Sequence, residues 1–348
     1  MMNKMLISAL LLCVLSVGMV GTVDARNKRT GTAAAPELLI PVGARYLAMG
    51  SANVANAIGV EAIHFNPAGL GLMKPSAEGM FSSMSYIADI TVSYGAVGVN
   101  FGDFGFVGLS LKSLSFGNIP LTTADDPEGR TGRVFSPTYV TVGATYARQL
   151  TEAISVGFTT KLVSEQIARV SSTGIAFDFG VQYSGLINVK GLHLGVAIKN
   201  IGPAMKFDGT GLYRSAISPE GRRPEQLFKS EAASFELPSL VEFGLGYTAN
   251  VSDELMYSGT ASFTNNNLYV DEFRLGGELM YSIENVNLAA RVGGSFLPKV
   301  KEEDRIFGVT FGVGLNYKTS DLDLTVDYAF RQVDLFSNNN VLSIKVGF

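Results

Sequence analysis

The sequence predicts an all-β protein: a closed antiparallel transmembrane β-barrel of about 14 strands with a small N-terminal hatch in its lumen. Three observations carry that prediction. From residue 77 to the last residue, apolar side chains alternate with small or polar ones. The chain is apolar (47% hydrophobic, 17% charged, mean hydropathy +0.23). Yet beyond its first 25 residues no uninterrupted apolar run approaches the roughly 18 residues of a membrane helix. Finally, the two longest connections fall on the same side of the strand order.

The first element is a leader. Lys4 provides a positive start, Met5 to Val20 is an apolar run, and Val23-Asp24-Ala25 offers a cleavage triplet. Residues 1–25 are therefore expected to be a secretory signal peptide. Cys13, the single cysteine, lies inside it, and Leu12 stands where a lipoprotein signal needs a small residue. An exported chain without cysteine is not a disulfide scaffold. Removing Lys4 and Asp24 together leaves the net charge at −4. No basic excess points to nucleic acid.

Residues 26–76 follow as an N-terminal segment and hatch, and 77–348 as the barrel. The hatch precedes the first strand and is expected to start on the periplasmic side. It is rich in Gly, Ala and Asn and too irregular to span lipid, so it belongs in the lumen. A barrel of this size exceeds what wall side chains can fill, and an insert would stop the leak.

The strands are read at 77–88, 90–101, 103–113, 137–149, 153–166, 170–184, 191–202, 237–249, 253–263, 270–283, 286–297, 306–319, 321–332 and 340–348. In 174–183, Ile175, Phe177, Phe179, Val181 and Tyr183 oppose Gly174, Ala176, Asp178, Gly180 and Gln182. In 306–318, Phe307, Val309, Phe311, Val313, Leu315 and Tyr317 share the apolar face. Successive strand side chains point to opposite faces, so each segment has one greasy and one polar side. In hydrocarbon each unpaired backbone group costs several kcal/mol, and only a closed sheet leaves none at an edge. A soluble sandwich of this many strands would show linkers between domains, and none is visible.

The connections alternate as an outer-membrane barrel requires, with short periplasmic turns such as GD, LTEA and TSD. The long insertions 113–136 and 203–236 both fall on the outer side, and both ends of the barrel on the periplasmic side. The last strand carries Leu342, Ile344, Val346 and terminal Phe348 in alternation. This ending is similar to the assembly signal of Gram-negative outer-membrane proteins. It implies barrel assembly machinery and outer-membrane lipid as partners.

Two stretches carry a wider resemblance. Ala44-Arg45-Tyr46-Leu47-Ala48-Met49-Gly50, followed by His64-Phe65-Asn66-Pro67-Ala68-Gly69-Leu70, resembles the N-terminal signature of the PorV/PorQ family. That family is related to the long-chain fatty acid transporter FadL. YARQL (146–150), SVGF (155–158), FDFGVQY (177–183) and AIKNIGPAMKFDG (197–209) extend the likeness over most of the mature chain. The resemblance implies a fourteen-stranded barrel and an Asn-Pro-Ala motif in its hatch, here Asn66, Pro67 and Ala68.

The chemistry of the motif is local. Pro67 fixes its own φ and biases Asn66 toward extended backbone, while Asn66 can bond backbone two residues on. His64 through Gly69 are the candidate hatch or gate, with three readings open: a structural turn, a gate, or a ligand contact.

Catalytic signals are missing. No G-x-S-x-G occurs, two distant histidines (His64 and His193) make a poor metal site, and the glycines of 312–320 alternate within a strand. No cofactor and no metal is expected. Acidic ADDPEG (124–129) lacks a calcium-loop spacing and reads as a solvated loop. Glycines on polar strand faces mark close approach by the hatch, or simply room in the lumen.

Arg148, Lys161, Asp178, Lys199, Glu242, Arg274, Glu278, Arg291, Asp327, Arg331 and Lys345 are read as lumen lining, because Arg or Lys on the lipid face costs about 2–4 kcal/mol near the midplane. In 203–236, Phe207, Tyr213, Arg222, Arg223 and Phe228 compose a candidate partner surface. Two non-enzymatic functions follow from the resemblance. One is a component of type IX protein secretion that meets secreted cargo proteins, with a sortase as a further partner. The other is transport of a hydrophobic ligand across the outer membrane of a Gram-negative bacterium.

Overall fold

A computed structural model describes residues 31–217, 225–298 and 300–348; the expected leader lies outside them. Fourteen strands form one closed antiparallel barrel. We number them β1 (Ala77–Ser85), β2 (Thr91–Asn100), β3 (Phe106–Ser115), β4 (Thr138–Gln149), β5 (Ile154–Ile167), β6 (Val170–Ser184), β7 (Leu192–Ile201), β8 (Leu240–Asn250), β9 (Leu255–Asn266), β10 (Glu272–Ile283), β11 (Val286–Phe296), β12 (Phe307–Lys318), β13 (Asp323–Val333) and β14 (Asn339–Gly347). Each pairs with its sequence neighbours, and β1 pairs with β14 from Glu78↔Gly347 to Ser85↔Asn340. Phe348 completes the seam: its carbonyl accepts from Ser76 N at 2.7 Å and its N–H donates to Ala77 O at 2.9 Å.

The alternation sorts the side chains by face. Outward, Leu275 (65% exposed), Val313 (59%) and Phe81 (57%) make a greasy belt. Leu342, Ile344 and Phe348 are exposed on the same outer face. Inward, strands present Thr, Ser, Gly and paired charges, many of them buried. One expectation fails at the start of β12. The register shifts between Phe307 and Thr310, so Phe307 faces the lumen instead of joining Val309 and Phe311 outside. A bulge inserts one residue and reverses the parity before it.

The connections β3–β4 and β7–β8 lie at one end, taken as the outer end. The first carries a small ribbon, Ile119–Pro120 against Val134–Phe135. The second carries two, Met205–Lys206 against Ser234–Phe235 and Tyr213–Ala216 against Gln226–Lys229. Short turns close the opposite end.

The N-terminal segment does not start at the periplasmic end. Ala34 N donates to Glu236 O at 2.9 Å, and Leu38 packs with Met205 and Leu237 in the outer connection. From residue 31, the first described, the chain runs from the outer rim down the lumen and reaches β1 at the far end. Its course is a strap (34–41) holding a 3-10 turn (Pro36–Leu39), a helical turn (Ala44–Ala48), a second (Ala62–Phe65) and a 3-10 turn (Pro67–Leu72). The apolar core lies between this hatch and the inner wall. Leu47 shares one cluster with Met84, Leu114 and Val341; Val60, Ile63 and Leu70 share another with Met80 and Tyr94.

Candidate functional site: the hatch and the chambers it divides

The Asn-Pro-Ala knot is the best-anchored part of the hatch. Asn66 is fully buried and extended (φ −154°, ψ 109°), as the following proline favours. Its Oδ1 accepts from Ala68 N at 3.1 Å. Its Nδ2 donates to Val54 O at 2.8 Å within the hatch, and approaches Val181 O (3.1 Å) and Val196 O (3.4 Å) on β6 and β7. One side chain therefore closes the turn and ties it to the wall. Phe65 packs edge-on to Tyr46. His64 borders the upper cavity and is held neutral: burial, then the nearby lysines 112 and 199, push its pKa well below the ordinary value.

Lumen-facing glycines receive this hatch. A Cβ on Gly180 would stand 1.9 Å from Asn66 Oδ1, and one on Gly157 would stand 2.3 Å from Pro67 C. On Gly195 it would meet Val54 O at 2.2 Å, on Gly276 Met49 O at 2.2 Å, and on Gly293 Gly50 N at 2.2 Å. All but the Gly180 contact, which is to the Asn66 side chain, are backbone to backbone, and together they ring the lumen from β5 to β11. Wall hydroxyls add bonds: Ser155 Oγ to Ala68 O (2.7 Å), Thr260 Oγ1 to Ala52 O (2.7 Å) and Thr310 Oγ1 to Ala48 O (2.9 Å).

The hatch splits the lumen into two cavities. The outer chamber, about 790 Å³, is walled by the strap, by apolar and aromatic side chains such as Tyr86, Leu114, Phe116 and Tyr139, and by charged ones such as Lys199, Glu242, Arg274 and Arg331. The inner vestibule, about 470 Å³, borders Arg45, Asn53, Gln182 and Lys345 together with apolar side chains such as Met49, Leu72 and Met280.

Most charges read as lumen lining are held in pairs. Lys161 meets Asp178 at 2.5 Å and Lys199 meets Glu242 at 2.6 Å. Arg274 bridges Glu242 (3.1 Å) and Glu272 (2.6 Å). Below the hatch, Arg291 joins Glu278 and Asp327, each at 2.6 Å, and Arg45 of the hatch reaches Glu278 at 2.9 Å. Lys345 lies near Glu78 (3.3 Å) and Glu61 (3.6 Å). Arg331 instead lies over the Phe307 ring at 3.8 Å.

Arg148 corrects the reading. It is exposed and shares the outward parity of Tyr146, while Thr145 and Ala147 face in. Its place next to a short turn lets a long side chain reach the membrane–water interface. The reading missed Glu37, Arg45, Lys112 and Glu165. For Glu165 the signal was present: it stands four residues beyond Lys161, on the same strand face.

At the outer rim, Tyr213 (46% exposed), Leu227 (74%) and Phe228 (44%) stand on the longer ribbon, and Phe207 is half-buried below it. Arg222 and Arg223 lie outside the described residues. In the other outer connection Asp126 accepts from Arg130 N (2.8 Å) and Thr131 N (2.9 Å), which commits it to its turn. Those bonds hold its carboxyl below the ordinary range. Among the described residues no group of three or more His, Cys, Asp or Glu is placed to hold a metal.

A fourteen-stranded barrel with an N-terminal chain plugging its lumen is the architecture of FadL-type outer-membrane proteins, and solved structures agree. The toluene transporter TodX of Pseudomonas putida superposes with a TM-score of 0.58 at 15% identity, covering 88% of this chain and 98% of that one. The Ralstonia pickettii toluene transporter TbuX gives 0.55 at 13%, covering 88% and 98%. A Pseudomonas aeruginosa FadL homologue gives 0.50 at 12%, covering 89% and 98%. Such identities speak for the fold alone. The family is settled separately: the model described as "Type IX secretion system protein PorV" matches residues 23–219, and the chain belongs to that family. No curated protein matches the sequence significantly.

Proposed function

We propose that this chain is a non-enzymatic component of type IX protein secretion in the outer membrane of a Gram-negative bacterium, and that it receives exported proteins on its outer face. One observation carries the reading most. The hatch is seated backbone to backbone on wall glycines, while large apolar side chains stand on a ribbon in the water above. A chain plugged along its axis but sticky at its rim suits docking better than conduction. Family membership supports the same reading.

Tyr213, Leu227 and Phe228 are the expected contact residues, with Phe207 beneath them. The test is a chromosomal deletion complemented with Leu227→Asp/Phe228→Asp. Cargo should remain cell-associated with the variant while barrel levels match the parent. Normal secretion from either the deletion or the variant strain overturns the reading.

A second reading has its own support. The outer chamber is large enough for a small apolar molecule, and the superposable TodX and TbuX are titled toluene transporters. Protein extracted from native membranes would then carry a bound small molecule in native mass spectrometry; ligand-free protein counts against it.

A further inference from the structure

The strap that walls the outer chamber is held by an unusual contact. Glu37 on the strap and Glu165 on β5 are 1% and 2% exposed. Their carboxyl groups lie within hydrogen-bonding reach of each other. Glu165 accepts from the Ala35 backbone N–H of the strap, yet neither Glu37 carboxylate oxygen, nor Glu165 Oε2, is bonded to a donor from a neighbouring side chain. The surrounding groups do not fill that need. Lys112 on β3 gives its protons to backbone carbonyls, Glu37 O at 2.7 Å and Ile40 O. Lys161, further along β5, is bound to Asp178 of β6, and Lys199 of β7 to Glu242 of β8. Tyr139 of β4 lies close by, and Glu236 in the outer connection touches the strap through its carbonyl. Two ionised carboxylates cannot share a dry site at close range, so one of them must keep its proton.

We propose that Glu37 and Glu165 share a single proton, and that this acid pair latches the N-terminal strap across the outer chamber. With the proton in place, one carboxyl donates to the other and the strap stays down. Loss of the proton sets two charges against each other in a buried site and frees the strap, which opens the chamber wall. Burial, and then the neighbouring Glu165, push the Glu37 carboxyl from 4.5 up to about 8. The docked strap therefore binds a proton that the free strap releases. Docking is strongest below about pH 4.5, weakens up to tenfold per pH unit between there and about pH 8, and is level above. The inference stands apart from the secretion reading.

The only cysteine lies at position 13 in the expected leader, so single cysteines can be introduced cleanly. The full mature chain in lipid vesicles would carry Leu38→Cys, on the buried side of the strap, with Leu227→Cys on the exposed ribbon as reference. The readout is the ratio of their labelling rates with a small charged methanethiosulfonate from pH 5 to pH 9. The ratio should climb up to tenfold per unit and flatten above about pH 8. Glu165→Gln and Glu37→Gln should each shorten the climb, leaving only the part that burial alone imposes on the remaining acid. A flat ratio in the parent, or an unchanged climb in either variant, overturns the latch. So does a ratio that follows added calcium chloride or chelator at constant pH, since the hydroxyls of Thr141 and Ser172 are buried nearby without partners and a bound cation would then neutralise the pair.

Discussion

Glycine decides where the hatch can sit. On Gly180 any side chain would collide with the Asn66 amide, and on Gly157 with the Pro67 backbone. The Pro67 obstacle is backbone and the Asn66 amide is held in place by its own hydrogen bonds, so the wall or the hatch must shift. Gly180→Ala is expected to cost about 1–3 kcal/mol, the usual range for overpacking. It should lower the urea midpoint of the barrel refolded in lipid, whereas Gly259→Ala should not, because open space surrounds that position. An equal loss in both would mean the glycines are not seats.

Asn66 is the complementary case. Asn66→Ala strips the buried donor from Val54 O and the acceptor from Ala68 N. Each buried group left unpaired costs about 1–3 kcal/mol. Protease sensitivity of residues 44–72 should rise with the barrel intact; hatch resistance equal to the parent's would contradict the anchoring. The motif, the proline's effect and the Asn66 turn were legible in the sequence, since all three are local. The bonds from Asn66 to β6 and β7 were not, because they join residues 115 and 130 positions apart.

At the level of elements, strands read well and the hatch's path read badly. Segment boundaries from alternation agree closely with the strands, because the period-two pattern is enforced by one wet and one oily face. The bulge at Phe307–Thr310 escaped, since one inserted residue leaves local composition unchanged. The hatch's entry at the outer rim also escaped: nothing in its composition says which end of a tube it starts from. That end is chosen by the fit of Ala34, Leu38 and Glu37 against Glu236, Leu237 and Glu165.

The outer ribbon makes a prediction at this scale. Leu227 is 74% exposed, so Leu227→Asp should change stability by no more than about 0.5 kcal/mol. It should still reduce cross-linking to exported protein, if the ribbon is the docking surface. Loss of folding in this variant would show that the ribbon has a structural role.

For the whole molecule the decisive property is which side is wet. Val313 points to lipid and Asp327 into the lumen beside Arg291. Val313→Arg is expected to cost about 2–4 kcal/mol when the position lies near the midplane. Asp327→Leu, an apolar change that would suit a lipid face, should cost about 3–5 kcal/mol, because it takes from Arg291 one of its two buried partners. Denaturant titrations in vesicles measure both. Should Asp327→Leu stabilise the barrel, inside and outside have been exchanged.

The sequence by itself determined the closed barrel, its strand count, the shared end of its two long loops and the presence of a plug. Those follow from periodicity and from the demand that every backbone group in lipid be paired. Only the tertiary structure decided how the plug is threaded, that Arg148 faces out, that most lumenal charges are spent on one another, and that two acids meet under the strap. Each of these depends on contacts between residues far apart in the chain, and such contacts are set by packing in three dimensions, where no local pattern records them.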